Sequence, residues 1–409
     1  MILFYYLLMN NNFDKLSYDL TKSLSKETKK NNGIFFTPYS TINTNIDLIK
    51  PYFKNIKTIL EPSCGSCQFI NKLLQINNHF NITAIELNKT IFDSIINLQN
   101  NNLNIFNQDF LDYNFTSTYD LIIGNPPYFV IPKNIVDKKY FDYFDGRPNI
   151  FILFIIKSLS LLNKNGILSF ILPKNFTNSH YYDKTRKYIL NNFKILHIIY
   201  SDSNYIETKQ DTIILIIQNT TDNNTNSNYS LQTSNYTIFA PPQHILELKQ
   251  LYLNSTTLYN LKFSVNVGTI VWNQHKDILT DNPSNTLLIY NSDIKSNKLQ
   301  IQKYKNPQKK NYINKPGYNK PCLLINRGYG KGTYNFQYLL IDGTFDYLVE
   351  NHLISIKHNQ TISNSELIQL YNKIIDSLNN HKTTQFINLY FGNNAINTTE
   401  LLHILPIYL

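Results

Sequence analysis

Three cysteines among 409 residues, Cys64, Cys67 and Cys322, are too few and odd in number for a secreted disulfide framework. No second Cys-x-x-Cys completes a four-ligand zinc site. Cys64-Gly-Ser-Cys67 also lacks the aromatic neighbour of a papain-type thiol, because Gln68 follows it. Long apolar runs are missing too. The start, Met1-Ile-Leu-Phe-Tyr-Tyr-Leu-Leu, carries no basic flank and reaches polar Asn10 quickly. It is too short to span a bilayer or to read as a signal peptide. A soluble intracellular protein with no metal and no membrane association is therefore expected. Acidic residues are absent in one place above all. Between Asp293 and Asp342 there is none, while nine Lys and one Arg lie there. That stretch holds as much charge as the formal net value of +10, so the remainder is near balance. Charge concentrated in one segment favours a polyanion docked on it.

The sequence also has no internal repeat and no GxGxxG. What it does have is an alternation of strands and helices. Short apolar runs at Lys57–Glu61, Ile82–Glu86, Ile105–Phe106, Tyr119–Gly124 and Ile167–Leu172 are separated by helical stretches near 68–75, 89–99 and 149–162. The last of these helices is expected to stop at Asn165-Gly166. Such alternation predicts a mostly parallel, doubly wound Rossmann-like sheet. The runs 194–200 and 211–218 have no convincing helix between them, which predicts one antiparallel strand at the sheet's edge. Residues 221–236 lie in a polar stretch rich in Asn, Thr and Ser that reads as a linker. It divides a catalytic domain at 1–220 from a smaller mixed α+β domain at 237–409.

Four features fall at the carboxyl ends of successive strands, where open α/β sheets bind their ligands. Glu61-Pro-Ser-Cys-Gly-Ser-Cys67 turns strand one into a helix, whose first N–H groups can receive an anion. Glu86 ends strand two, 21 residues after Gly65, the offset at which an acid reaches ribose hydroxyls. Asp109-Phe110 sets a carboxylate and a ring after strand three. Asn125-Pro126-Pro127-Tyr128 ends strand four, delivering an amide, a proline-locked carbonyl and a flat ring to one spot. That trio suits a planar base bearing an amino group.

In these motifs the chain resembles the N6-adenine DNA methyltransferases of the gamma motif order, the TaqI-like type used in type II restriction-modification. The resemblance covers about residues 30–218. Gly33-Ile-Phe-Phe-Thr-Pro38 is similar to the family's N-terminal cofactor motif, Glu61–Cys67 to its first loop, and Asn125–Tyr128 to its catalytic motif. Gly166–Phe176 resembles the later strand that helps form the base pocket. The resemblance implies S-adenosylmethionine as cofactor, double-stranded DNA as partner, and a target-recognition domain after the catalytic one. It implies that Thr37, Ser63, Cys64 and Gly65, with Glu61 in the same loop, hold the methionine end. Glu86 then binds the ribose, Leu87 lies against the cofactor adenine, and Asp109 with Phe110 recognises its amino edge. Asn125 and Pro126 accept the two N6 protons of a flipped-out adenine on which Tyr128 stacks. No covalent nucleophile is required.

The chain departs from that pattern twice. Cys67 stands where the family loop often has a second glycine. The other base-stacking aromatic aligns with Ile206, one place from Tyr205, and Tyr205 is the better stacker. Glu207-Thr-Lys209 matches a nuclease Glu-x-Lys by chance, since no paired Asp stands upstream. In the C-terminal half, Val271–Lys276 and Phe391–Glu400 resemble segments of bacterial and large-virus modification enzymes. Trp272, the single tryptophan, is a core residue or a DNA contact. Lys303, Lys305, Lys309 and Lys310 among tyrosines suit phosphate contacts. Arg327, flanked by glycine, suits a guanine edge.

The expected activity is site-specific methylation of adenine N6 in DNA by a monomer, protecting a genome from an endonuclease that shares the site. Two rivals stand beside it. One is methylation of another planar amino group: cytosine N4, an RNA base or a protein glutamine. The other is an inactive DNA-binding specificity protein.

Overall fold

The computed structural model describes residues 12–201, 205–207, 210–233, 236–328, 334–390 and 395–409. The apolar start at 1–8, Lys209, Lys331 and residues 391–394 lie outside the described residues. The chain forms two compact units, one of residues 1–232 with 237–245 and one of 233–236 with 246–409. The first unit thus runs past the boundary expected at 220. Within 221–236, Asn226 is buried and bonds to Ile195 N, Leu190 O and Phe193 O.

In the first unit three helices, α1 (Lys15–Ser23), α2 (Lys26–Asn32) and α3 (Tyr39–Ile49), precede β1 (Thr58–Glu61). Then follow α4 (Gln68–Ile76), β2 (Asn81–Glu86), α5 (Lys89–Ile95), β3 (Leu103–Asn107), β4 (Tyr119–Gly124) and α6 (Ile150–Ser160). The unit continues with β5 (Leu162–Pro173), α7 (Asp183–Asn192), β6 (Lys194–Ser201), β7 (Thr212–Gln218) and the hairpin β8 (Ser230–Gln232) and β9 (Thr237–Phe239). Seven strands form one sheet in the order β3-β2-β1-β4-β5-β7-β6. β7 alone runs opposite to the other six strands, and it lies one place in from the edge, between β5 and β6.

Strand geometry explains why these strands are apolar almost throughout. Successive side chains point to opposite faces, and a parallel sheet is covered on both. Leu60, Ile122, Leu168, Phe170 and Leu215 pack on one face with α6. Their neighbours Ile59, Leu121, Ile123, Ile167 and Ile216 pack on the other with α3 and α4. Helix α6 has no polar face to give: eight of its eleven residues are buried.

The expected stop of that helix at Asn165-Gly166 is corrected. The helix ends at Ser160, and Asn165 sits within β5 at φ +63°. Its N–H bonds Asn219 O, and the β4–β5 register shifts between Tyr119 and Leu121. The left-handed residue bends a strand there (Asn tolerates that conformation) and does not cap a helix.

The second unit is mixed α+β. It follows α8 (Pro242–Tyr252) with β10 (Phe263–Val267), β11 (Leu279–Thr280), β12 (Thr286–Ile289), β13 (Ile294–Lys295), β14 (Lys298–Leu299) and β15 (Tyr312–Ile313). Then come β16 (Cys322–Asn326), β17 (Tyr338–Ile341), β18 (Tyr347–Val349), β19 (Leu353–His358) and the helices α9 (Asn364–Leu378), α10 (His381–Tyr390) and α11 (Thr398–His403). Its strands make two four-stranded sheets, β10-β19-β16-β17 and β11-β15-β12-β18. A Ser363–Glu366 capping box starts α9. No helix of the described residues is long and apolar enough to cross a membrane.

Candidate active site

The carboxyl ends of β1 to β4 open onto a cavity of about 370 Å³. Of the residues singled out in the sequence, Ser63, Gly65, Glu86, Leu87, Asp109, Phe110, Asn125 and Pro127 line it. Thr37, Glu61 and Cys64 line an adjoining recess of about 40 Å³, which shares Ser63, Gly65 and Asn125 with the cavity. The sheet brings these residues together because parallel strands all end on the same side.

The loop after β1 is shaped by two left-handed residues, Gly65 at φ +52° and Cys67 at φ +61°. Cys67 therefore stands where a glycine is ordinarily favoured for want of a Cβ. Both loop thiols are free and buried. The Cys64 thiol is held well up by its bond to Cys67 and by burial, which disfavours the thiolate. Among the described residues no cluster of His, Cys, Asp or Glu could hold a metal.

Glu86 accepts from Gly65 N at 2.9 Å and from Asn88 N at 2.7 Å. These bonds fix both oxygens at the mouth of the loop, with lone pairs to spare for hydroxyl donors. Burial pushes its carboxyl up to about 7, against the lowering effect of those N–H groups. Glu61 is wholly buried and its Oε2 has no hydrogen-bond partner. Burial holds its carboxyl far above the carboxylate range, and the nearby Cys67 and Glu86 push the same way. A buried polar atom with no partner is costly and marks a place for a ligand. Leu87 is 60 % exposed, an apolar side chain left on the cavity wall as a flat ring would require. Asp109 Oδ1 accepts from Leu111 N at 2.7 Å, and Phe110 packs on Phe154 at 4.8 Å between centroids.

The Asn125 amide is oriented without ambiguity. Its Nδ2 donates to Thr37 Oγ1 at 3.0 Å and reaches Phe35 O at 3.4 Å, so the opposite end must be the oxygen. Oδ1 faces the Tyr128 hydroxyl, which also reaches Ile171 O at 2.7 Å. Ser63 Oγ donates to the Asn125 carbonyl at 3.2 Å. Pro126 is buried. The Gly33 turn lies directly on this loop. A Cβ there would come within 2.7 Å of Tyr128 N and 3.1 Å of Pro127 Cβ.

Tyr205 and Ile206 line a small pocket beside the cavity, and Ile34, Phe35 and Phe36 are shared between the two. Tyr205 is buried, its hydroxyl within 3.5 Å of Thr212 Oγ1, and burial pushes that phenol up to about 12. Ile206 packs with Phe13, Leu20 and Phe36. Glu207 receives the buried Lys29 Nζ at 2.7 Å, so this acid has a structural partner. In the second unit Trp272 is partly buried beside Ile270 and Tyr290. Lys303 and Lys305 are exposed, as phosphate contacts require. Lys309 instead packs over the rings of Tyr304 and Tyr290, at 4.1 and 4.2 Å, and Lys310 pairs with Asp281. Arg327 Nη1 reaches Asn351 O at 3.4 Å.

Sequence reasoning did not single out Gln68, Gln108 or Phe154. Gln68 is 4 % exposed and lines the recess, with Oε1 held by Ser17 and Ser66. Gln108 was legible only as the neighbour of Asp109. Phe154 comes from α6, with no local signal to mark it.

Comparison with known proteins bears on the family and the fold. Residues 70–206 match the family model described as Eco57I restriction-modification methylase. The chain is 26% identical over 389 residues to the type II methyltransferase M.CvrRI of Paramecium bursaria Chlorella virus XZ-6E, covering 94% of this chain and 96% of that one. It is 27% identical to the modification methylase CviBIII of Paramecium bursaria Chlorella virus NC1A, covering 97% and 99%. Among solved structures it resembles the DrdV–DNA complex in fold, with a TM-score of 0.54 at 12% identity over 96% of this chain and 57% of that one. The residues present suit S-adenosylmethionine, with an unpaired buried carboxyl oxygen of Glu61 in the recess, the Glu86 carboxyl at the mouth of the loop and the apolar Leu87 on the wall. Over residues 70–206 the chain is similar to the restriction-modification methylases, its seven-stranded sheet is Rossmann-like, and its cofactor is S-adenosylmethionine.

Proposed function

We propose that this DNA methyltransferase of the type II restriction-modification kind methylates N6 of an adenine turned out of its duplex. The observation that carries the reading is the Asn125 amide, whose nitrogen is spent on Thr37 and Phe35 and whose oxygen faces the hydroxyl of Tyr128. S-adenosylmethionine, when bound, supplies the methyl group. The chain's part is to hold and polarise the acceptor. The Tyr128 hydroxyl has one proton and two acceptors, Asn125 Oδ1 and Ile171 O. With that proton on Ile171 O, Asn125 Oδ1 accepts from the amino group of the base. The Pro126 carbonyl would accept the second N–H. Two accepted hydrogen bonds raise electron density on the nitrogen and offset the charge that develops during transfer. The Tyr128 ring would cover the face of the base, and Gly33 lets the cofactor motif close against the loop. In this reading Thr37, Glu61, Ser63, Cys64 and Gly65 hold the methionine end. Glu86 meets the ribose, and Leu87, Asp109 and Phe110 the adenine. Extrusion of the base follows from reach, since an atom inside a stacked duplex cannot enter a cavity.

The test is incubation with labelled S-adenosylmethionine and duplex DNA, RNA or protein, followed by digestion and identification of the product. Label in N6-methyladenine is expected. Label in N4-methylcytosine would move the reading to the other amino base. Label on glutamine alone, or binding of DNA with no transfer, would overturn it.

A further inference from the structure

Lys157 is the one charged residue of α6, a helix otherwise built of Ile, Leu, Phe and Ser. Ile150 and Phe154, four residues apart and so on one face, line the cavity. Lys157 follows three residues later on that face and is half-buried. Its ammonium leaves the helix and donates to Leu111 O and Tyr113 O, at 2.8 Å each. It also lies 5.2 Å from the centre of the Phe110 ring and 5.4 Å from that of Phe115. One cation thus holds the loop after β3 at Phe110, Leu111, Tyr113 and Phe115.

That loop brings Asp109 and Phe110 to the cavity. Asp109 Oδ1 accepts from Leu111 N at 2.7 Å, and Asp109 O accepts from Asp112 N at 3.2 Å and Tyr113 N at 2.9 Å. These bonds shape a turn, and all of them lie within it. Lys157 ties the turn to the helix. The Phe110 ring also meets Phe154 at 4.8 Å and Phe115 at 5.6 Å.

Taking an ammonium out of water is unfavourable unless hydrogen bonds and nearby charge replace its hydration. Burial lowers the Lys157 pKa and Lys139 acts the same way, while Asp109 and Asp112 oppose both. A leucine would pack on this apolar helix without that penalty. What the lysine adds is order in the loop, and a loop already ordered need not be ordered by its ligand.

We infer that Lys157 is a positioning residue for the cofactor's adenine, holding Asp109 and Phe110 where that ring binds. The inference rests on the reading that sets the adenine against Leu87, Asp109 and Phe110. Lys157 does not itself line the cavity and acts through the loop.

The test uses the full-length protein and calorimetry with two ligands. One is S-adenosylhomocysteine; the other is methylthioadenosine, which has the adenine and ribose but no amino-acid end. Lys157→Met keeps an unbranched stem and removes the cation. It should weaken both ligands alike, by about ten- to a hundredfold, the range for a hydrogen bond to a charged group. With DNA as acceptor, the KM for S-adenosylmethionine should rise in step while kcat at saturating cofactor holds. Lys157→Arg keeps a cation and should recover most of the affinity. Lys157→Gln should show the same loss as Lys157→Met, and it carries the test if the methionine variant does not fold. Unchanged affinity for both ligands, or a loss confined to S-adenosylhomocysteine, would overturn the inference. So would a fall in kcat with KM unchanged, or an arginine variant as weak as the methionine one. Leu87→Ser, which removes an apolar wall residue, tests the reading beneath. If it too leaves both ligands unaffected, the adenine does not lie at this wall. A loss in Leu87→Ser beside an unaffected Lys157→Met overturns the role of Lys157 alone.

Discussion

Asn125 has its amide nitrogen fixed by Thr37 Oγ1 and Phe35 O, so its oxygen is aimed before any substrate arrives. Asn125→Ala removes that acceptor. Its turnover should fall roughly 10²–10³ fold, the range seen when one preorganised hydrogen-bonding group is lost from a transition-state site. S-adenosylhomocysteine and DNA affinities should change little. Near wild-type single-turnover rates in that variant would exclude a polarising role for the amide. Glu86 sets a second expectation, in pH. Its carboxyl is pushed up to about 7 by burial, so the unliganded protein takes up a proton there as pH falls through that value. Ribose hydroxyls are best accepted by the ionised form, so that proton must be lost for the tightest binding. Calorimetric affinity for S-adenosylhomocysteine should therefore be flat above pH 8 and weaken towards pH 6, by at most about tenfold per unit below the pKa. Glu86→Gln should bind weakly at all pH values and lose the slope.

At the scale of elements, the junction between α2 and the Asn125–Tyr128 loop depends on one glycine. Gly33 closes α2 at φ +61°, and any side chain there would press on Tyr128 N. Gly33→Ala should cost at least about 1 kcal/mol for the left-handed conformation alone. The clash should also displace the catalytic loop. Thermal unfolding is expected at a lower Tm, and kcat should fall more than cofactor affinity does. A variant with an unchanged Tm and kcat would show that the loop yields freely. The exposed and the packed lysines of the basic segment should likewise separate. Exchange of Lys303 and Lys305 for serine should lower the slope of log K against log salt by roughly two, since each phosphate contact contributes about 0.9. Lys309→Ser should act on stability instead, because its ammonium packs over Tyr290 and Tyr304. An unchanged slope in the first variant would assign that loop to a bystander role.

For the whole molecule, the two units carry different parts of the chemistry. One supplies a sheet covered on both faces with a cavity at its carboxyl end. The other carries the acid-free segment, together with Trp272 and Arg327. The polar stretch after β7 belongs largely to the first unit. Its Asn and Ser side chains bond backbone there, as Asn226 does to Leu190 O and Phe193 O. Composition could not separate a solvated linker from a polar segment spent on backbone hydrogen bonds. The half-buried state of Lys309 was hidden for the same reason: a lysine reads as a surface charge until three rings are found around it.

The sequence alone determined the alternation of strands and helices and set its motifs at four strand ends. Each of these is set by local periodicity, and parallel strands necessarily end on one side. Tertiary structure decided what depends on partners distant in the chain. It set the direction of the Asn125 amide through Thr37 and Phe35. It buried Tyr205 and placed Gln68 in the recess, and it paired Glu350 with Ile270, some eighty residues earlier. Such contacts leave no periodic trace, because hydrogen-bond geometry and burial belong to the packed chain and not to its order of residues.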